Sequence, residues 1–190
     1  SKADAVTDTV LSLDTTVSSQ SASHTLTITR QHTGGKSQYG FYNKQNSSFV
    51  RVLVPEGTQL TSISGVTKTS FQPLVDYNQG GFVRDPDLEK FEKSGVYDEA
   101  AGVWTFHESG KTEFGFWMNV DPGTTGTVKL AYTVRDGISN PYNLYVQKQP
   151  GLNVKSFTWN LLPSDSLAIV DSTLAFHRNG KRYNFVSSLD

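Results

Sequence analysis

The sequence predicts an all-β fold, specifically an immunoglobulin-like antiparallel β-sandwich of about nine or ten strands with a long insertion near residues 67–102. Val outnumbers Ala by 18 to 8 and aromatic residues reach 12%, which favours strands over helices. The chain also holds 21 Ser, 20 Thr, 16 Gly and 7 Pro, which suit polar strand faces and turns. Alternating segments recur at roughly 8–12-residue spacing with turn residues between them, which is typical of a sandwich or barrel.

Period-two alternation indicates the strands of the first third of the chain. In HTLTITR (24–30), Leu26 and Ile28 lie on one face and the Thr residues on the other, as in a half-buried strand. The apolar run FVRVLV (49–54) is followed by the turn sequence Pro-Glu-Gly. The predicted strands here are residues 6–17, 24–30, 49–54 and 59–66.

Residues 67–102 have no clear periodicity and hold Pro73, Gly80-Gly81, Pro86 and Gly95, so we interpret them as a long insertion with one helical turn at 87–94. Long loops inside compact domains are often either functional or mobile, and both alternatives stay open for this segment.

The remaining chain returns to the strand pattern. A hairpin is predicted around Ser109-Gly-Lys111, and the Asn179-Gly180 pair is the preferred centre of a two-residue hairpin because both positions need positive φ. The predicted strands here are residues 103–108, 112–120, 127–135, 142–148, 155–161, 174–176 and 182–186.

The length suits a single sandwich domain over residues 1–190, and a weaker alternative places a boundary near 136–141. The net charge of −1 gives no electrostatic case for nucleic acid. The absence of Cys excludes disulfides and thiolate metal sites. No apolar run approaches the ~18 residues of a spanning helix.

Residues 76–87 match part of the calcium-loop pattern. Asp76 and Asn78 occupy the first and third ligand positions, a Gly stands at the sixth and Asp87 at the twelfth. Arg at position nine, Gly at position five and the absence of flanking amphipathic helices depart from that pattern. The alternatives are therefore a calcium site formed by Asp76, Asn78 and Asp87, with no other cofactor predicted, and a Gly-rich surface loop.

The other chemistry-bearing residues show no catalytic or zinc-binding spacing. His24, His32, His107 and His177 are scattered, and no Ser lies in a Gly-x-Ser-x-Gly elbow. Glu108 and Glu113 flank a turn, and a pair of carboxylates for glycoside hydrolysis would be recognisable only in the fold. We therefore predict no enzyme activity and no catalytic residue.

Aromatic residues are the better candidates for binding. The strand residues Trp104, Trp117 and Trp159 are expected in the core. By contrast, Tyr39, Phe41 and Tyr42 lie in a Gly-, Ser-, Asn- and Gln-rich loop, so we expect them to be exposed and predict them as ligand-binding residues.

Several segments together resemble a known family. They are Lys2-Ala-Asp4, HTLTITRQH (24–32), FVRVLVPEGTQL (49–60), GKTEFGFWMNVDPGTTGTVKLAYTV (110–134) and YNLYVQKQPG (142–151). They resemble the C-terminal β-rich region of bacterial cell-surface proteins, found in Gram-positive and candidate-phyla bacteria, whose central domain has no known function. The resemblance implies an exported parent with a membrane anchor and brings no catalytic residue with it. Residues 67–102 depart from the family pattern.

Three functions follow for testing. The leading prediction is a non-catalytic extracellular β-sandwich module at the cell surface, structural or adhesive, with a protein or glycan partner and no nucleic acid. The second is a carbohydrate- or cell-wall-binding module that uses the loop aromatics. The third and least favoured is a glycoside hydrolase-type enzyme.

Overall fold

A computed structural model describes residues 2–69, 76–135, 142–163, 176–179 and 182–187. The described strands are β1 (Thr7–Val17), β2 (Ser21–His32), β3 (Asn46–Pro55), β4 (Gln59–Ser64), β5 (Val96–Asp98), β6 (Val103–Glu108), β7 (Lys111–Val120), β8 (Thr125–Arg135), β9 (Val154–Pro163), β10 (Phe176–Asn179) and β11 (Arg182–Ser187). One α-helix, α1 (Pro86–Ser94), and two 3₁₀ turns, Lys2–Val6 and Gly40–Asn43, complete the described elements.

The strands form two sheets, which confirms the all-β sandwich. The large sheet has the order β10-β11-β9-β1-β2-β8-β4, and the small sheet has the order β3-β7-β6-β5. The antiparallel prediction fails at one pairing, because β1 and β9 run parallel, with Leu13 opposite Trp159. Partners so far apart in the chain leave no turn signal in the sequence, so pattern reading could not detect this pair.

The core lies between the sheets and follows the predicted alternation. Phe114 and Phe116 of β7 are fully buried and pack against Leu130 and Tyr132 of β8. A second cluster joins Val17, Ala22, Leu161 and Phe185 at the other end of the large sheet. Thr residues occupy both exposed and buried positions in the large sheet. Thr29 and Thr127 face each other on the exposed side at 3.3 Å, whereas Thr7, Thr9 and Thr15 of β1 are buried.

The local signals of the hairpins and the helix are also confirmed. Ser109 (φ 52°) and Gly110 (φ 68°) form a turn with two positive φ values between β6 and β7. The helix predicted at 87–94 spans Pro86–Ser94. The carboxylate of Asp85 accepts the N–H groups of Asp87 and Leu88, while Pro86 occupies the first turn. The last hairpin forms, but its predicted centre at Asn179-Gly180 is wrong by one residue, because Asn179 is the last residue of β10 and pairs with Arg182.

The strand predicted at 142–148 is wrong: these residues alternate between half-buried and exposed but belong to no strand. Residues 142, 144 and 146 are half-buried and the residues between them are exposed. Such alternation indicates burial on one side of the segment and does not require a hydrogen-bonded neighbouring strand. Residues 136–141, where a boundary was considered, and residues 174–175 lie outside the described residues.

Candidate functional site

The three loop aromatics form one exposed cluster, which we call the aromatic cluster (Tyr39, Phe41 and Tyr42). The ring centroids of Phe41 and Tyr42 are 4.4 Å apart and those of Tyr39 and Phe41 are 5.7 Å apart. Tyr39 is 53% exposed and Phe41 is 41% exposed, which confirms the predicted exposure of these two rings, whereas Tyr42 is half-buried. The ammonium of Lys2 lies 5.4 Å from the Phe41 ring centroid, a cation–π distance.

Hydrogen bonds brace the loop that carries the aromatic cluster. The side-chain oxygen of Asn43 accepts the N–H groups of Gly35 and Ser37, and its amide donates to the Ser37 carbonyl at 2.7 Å. Tyr39 N–H donates to the Ser37 hydroxyl. Asn43 thus joins the end of the loop to the backbone of Gly35 and Ser37 near its start. Because these bonds are present without a ligand, the loop that carries the rings is ordered before binding.

A buried histidine anchors the same loop to β2. His32 is fully buried; its Nδ1 accepts the Gly34 N–H at 3.0 Å, so its Nε2 carries the proton that is donated to the Lys44 carbonyl at 2.9 Å. Gly34 is required here because a Cβ would lie 2.0 Å from the Tyr42 carbonyl oxygen. No sequence pattern identified His32 as an anchor, since its partners are backbone groups in a loop.

A polar network fixes the end of the loop where β3 begins. Arg30 donates to Asp4 at 2.7 Å and to Ser48 at 2.8 Å, and the buried Asn46 donates to Asp4 at 2.9 Å. Burial raises the pKa of the Asp4 carboxyl and hydrogen bonds, first among them that from Asn46, lower it, so that this pKa lies below its usual value. The network links the N-terminal 3₁₀ turn to both sheets beside the aromatic cluster.

The proposed calcium ligands occupy two separate local structures. Asp76 caps a turn by accepting the Asn78 N–H at 2.9 Å, and the Asn78 side-chain oxygen accepts a hydrogen bond from Arg84. Asp87 lies in the first turn of α1. Among the described residues no group of three or more His, Cys, Asp or Glu side chains could hold a metal ion. The calcium site therefore stays a prediction without support from this geometry.

Glu108 and Glu113 do come together, on the outer face of the small sheet, around Arg51. The Nε of Arg51 donates to Glu113 Oε1 at 2.7 Å, and its Nη2 contacts both Glu113 Oε2 and Glu108 Oε2, the latter at 2.6 Å. The side chain of Glu113 is fully buried. The hydrogen bond that Arg51 donates to Glu113 is the main reason that the pKa of Arg51 is raised. The guanidinium occupies the space between the two carboxylates, where a substrate oxygen would have to lie in a hydrolase.

The outer face of the small sheet is rich in aromatic rings that we expected in the core. Phe114 and Phe116 are in the core, but Trp104 and Trp117 lie half-buried on the opposite face. Trp104 stacks near Phe106 at 5.6 Å, and Phe106 stacks on Phe91 of α1 at 4.7 Å. The helix of the 67–102 segment therefore packs on this face, an arrangement that alternation alone could not predict.

A second histidine lies in a buried polar cluster of the large sheet. His24 is 5% exposed; its Nδ1 is 3.0 Å from the Thr15 hydroxyl and its Nε2 is 3.2 Å from the Tyr142 hydroxyl. Trp159 Nε1 donates to Thr15 at 2.9 Å, so Trp159 is a hydrogen-bonded core residue as expected. Burial lowers the pKa of His24 to about 4 and raises the pKa of Tyr142 to about 12.

The other histidines add no site. His107 is exposed and pairs with Glu56 at 2.6 Å. The side chain of His177 lies outside what the structure describes.

Comparisons with known proteins give the chain no family. No protein-family model matches it, and no curated protein matches it. Solved structures that resemble it include an M1 zinc metallopeptidase from Deinococcus radiodurans (14% identity, TM-score 0.35) and a mutant of that enzyme bound to a Tyr-ser-ala substrate (13% identity, TM-score 0.35). Each covers 96% of this chain, and this chain spans 39% of each. A TM-score this low carries no argument about fold or activity. Among the described residues, no helix is long and apolar enough to cross a membrane.

Proposed function

We propose that this chain is a non-catalytic, adhesive β-sandwich module of the immunoglobulin-like kind, and that it binds glycan through the aromatic cluster. The observation that carries the proposal is the grouping of three rings, two of them strongly exposed, on a loop braced by Asn43. Aromatic faces stack on the apolar faces of sugar rings, and tyrosine hydroxyls add hydrogen bonds at the edge. Exposed aromatic groups on a monomer commonly mark binding surfaces.

The proposed setting is the bacterial cell surface, with this region extracellular in a membrane-anchored parent. The resemblance of the five sequence segments to surface proteins supports this setting. The absence of Cys is compatible with it, since the two apolar clusters supply the core without disulfides. Cell-wall or surface polysaccharide would then be the natural glycan.

A glycoside hydrolase is the alternative that we favour least. Glycoside hydrolysis uses one carboxyl group that donates a proton and a second that acts as base or nucleophile, with the scissile bond between them. Here Arg51 bridges Glu108 and Glu113, and the side chain of Glu113 is fully buried, which disfavours this role for the pair.

The test is a glycan array followed by titration calorimetry of each hit. Replacing Tyr39 or Tyr42 by Ala should weaken binding at least tenfold, which corresponds to about 1.4 kcal/mol. The matched control is Tyr145→Ala, because Tyr145 is 83% exposed and lies outside the aromatic cluster. Absence of glycan binding, or equal binding by all three variants, would refute the proposal. Turnover of a polysaccharide that depends on Glu113 would instead support the hydrolase.

A further inference from the structure

The small sheet ends in a long strand with an open edge. Among the strands that the structure describes, β3 pairs only with β7, from Asn46 opposite Val120 to Pro55 opposite Lys111. An edge strand leaves alternate N–H and C=O groups unpaired, and these form a template for another strand.

The hairpin turn fixes which residues direct their backbone groups outward. In a two-residue hairpin the residues flanking the turn, here Glu108 and Lys111, form a hydrogen-bonded pair, so odd-numbered residues of β7 bond towards β6. The bond from Thr67 N–H to the Trp117 carbonyl lies on that same side. Even-numbered residues of β7 therefore bond β3. The β3 residues left to direct their N–H and C=O groups to the open edge are Ser47, Phe49, Arg51 and Leu53.

The open edge lacks the charge that usually protects such strands. Arg51 is the single charged residue in β3, and its guanidinium is turned across the sheet to Glu113 and Glu108. Only its aliphatic stem borders the edge. On the same face Phe49 is 37% exposed and Leu53 is 52% exposed. The edge thus offers apolar side chains beside unpaired backbone groups.

We propose that β3 pairs antiparallel with β3 of a second copy of this chain about a two-fold axis, with Phe49 opposite Arg51 of the other copy. The two small sheets then become one continuous sheet. In this register Ser47 lies opposite Leu53, so every outward-directed residue meets another and all their donors and acceptors are used. The Phe49 ring stays packed on Trp117 of its own copy, with ring centroids 5.4 Å apart, so the backbone hydrogen bonds carry the pairing.

The neighbouring registers are less favourable. Moving the two-fold axis from Val50 to Arg51 places the Arg51 residues of the two copies directly opposite each other, and like charges in that position are destabilising. Moving the axis from Val50 to Phe49 leaves Leu53 without a partner residue in β3 of the other copy. The interface is isologous, so it closes at the dimer and does not propagate. No residue of the aromatic cluster belongs to β3, and the dimer can form whether or not the chain binds glycan.

The register can be tested by cysteine cross-linking, because the chain has no Cys of its own. In this register Val50 of one copy lies opposite Val50 of the other. The two residues form a non-hydrogen-bonded pair with Cα atoms about 4.5 Å apart, a distance that a disulfide can span. Val50→Cys should therefore give a covalent dimer under mild oxidation. Val52→Cys is the matched control: it is also half-buried on β3, but its own copy is four residues away, about 13 Å.

Sedimentation velocity supplies the second arm. The wild type should sediment as a dimer at high protein concentration, and Leu53→Pro should shift it to monomer, because proline removes one outward-directed N–H and leaves the β7 pairing intact. Circular dichroism and urea unfolding establish that the variant is folded. A monomeric wild type, equal cross-linking of the two Cys variants, or a dimer indifferent to Leu53→Pro would each overturn the proposal.

Discussion

Replacing His24 by Gln should remove much of the loss of stability that the protein undergoes as the solution is acidified towards pH 4. His24 is buried between Tyr132, which stacks on it with centroids 4.9 Å apart, and Tyr142, and it bonds the Thr15 hydroxyl. Burial lowers its pKa from 6.5 to about 4. Burial is the cause of the His24 shift, and it is also the main cause of the raised pKa of Tyr132, with nearby Tyr142 as the lesser cause.

The sign follows from the two pKa values. Between pH 6.5 and 4 the unfolded chain binds a proton at His24 that the folded chain does not bind, so the free energy of unfolding decreases as pH falls through this range. The slope approaches about 1.4 kcal/mol per pH unit, and the total contribution is about 3 kcal/mol. At pH 7 the histidine is neutral in both states, and this contribution to pH dependence is absent.

The assay is urea unfolding of the wild type and of His24→Gln at closely spaced pH values from 4 to 7. The variant loses the stacking and is less stable throughout, so the informative quantity is the difference in slope. His107→Gln is the control for the replacement itself at an exposed position, and at pH 7 it should change stability by less than about 0.5 kcal/mol. Parallel stability curves for the wild type and His24→Gln would refute the reasoning.

Three further outcomes are expected. Arg51→Met leaves the buried carboxylate of Glu113 unpaired and should lower the free energy of unfolding by about 2 kcal/mol, with partial recovery when Glu113→Gln is added; an unchanged urea midpoint would contradict this. Gly34→Ala forces its Cβ against the Tyr42 carbonyl and should weaken glycan binding without removing a ring, so calorimetry that finds wild-type affinity would show that loop geometry is irrelevant. Calcium should leave the melting temperature unchanged, whereas a rise that Asp76→Ala abolishes would establish the calcium site.

Local signals were sufficient for most elements of the fold. The alternation in β2 and β8, the Ser109-Gly110 turn and the Asp85-Pro86 start of α1 were all readable, because each depends on residues close together in the chain. The alternation at 142–148 was equally clear and predicted a strand that is absent. Burial on one side produces the same alternation whether or not a neighbouring strand is present to complete a ladder.

The candidate site also has one part that the sequence could predict and one part that it could not. The exposure of Tyr39 and Phe41 could be predicted because apolar rings in a polar loop have little core to enter, whereas Tyr42 is half-buried against its two neighbours. Their bracing by Asn43 and His32 could not be predicted, since the partners are backbone groups placed by the loop itself.

By itself the sequence determined that this is a β-protein with hydroxyl-rich faces, no disulfides and aromatic residues in a polar loop at 39–42, because composition and period-two patterning act through near neighbours. Only the tertiary structure decided the parallel pairing of β1 with β9, the meeting of Arg51 with two glutamates and the burial of His24 among tyrosines. It also decided that, among the described strands, β3 is at one end of the small sheet. These features join residues distant in sequence, and contacts of that kind form only when sheet order and packing bring the strands together.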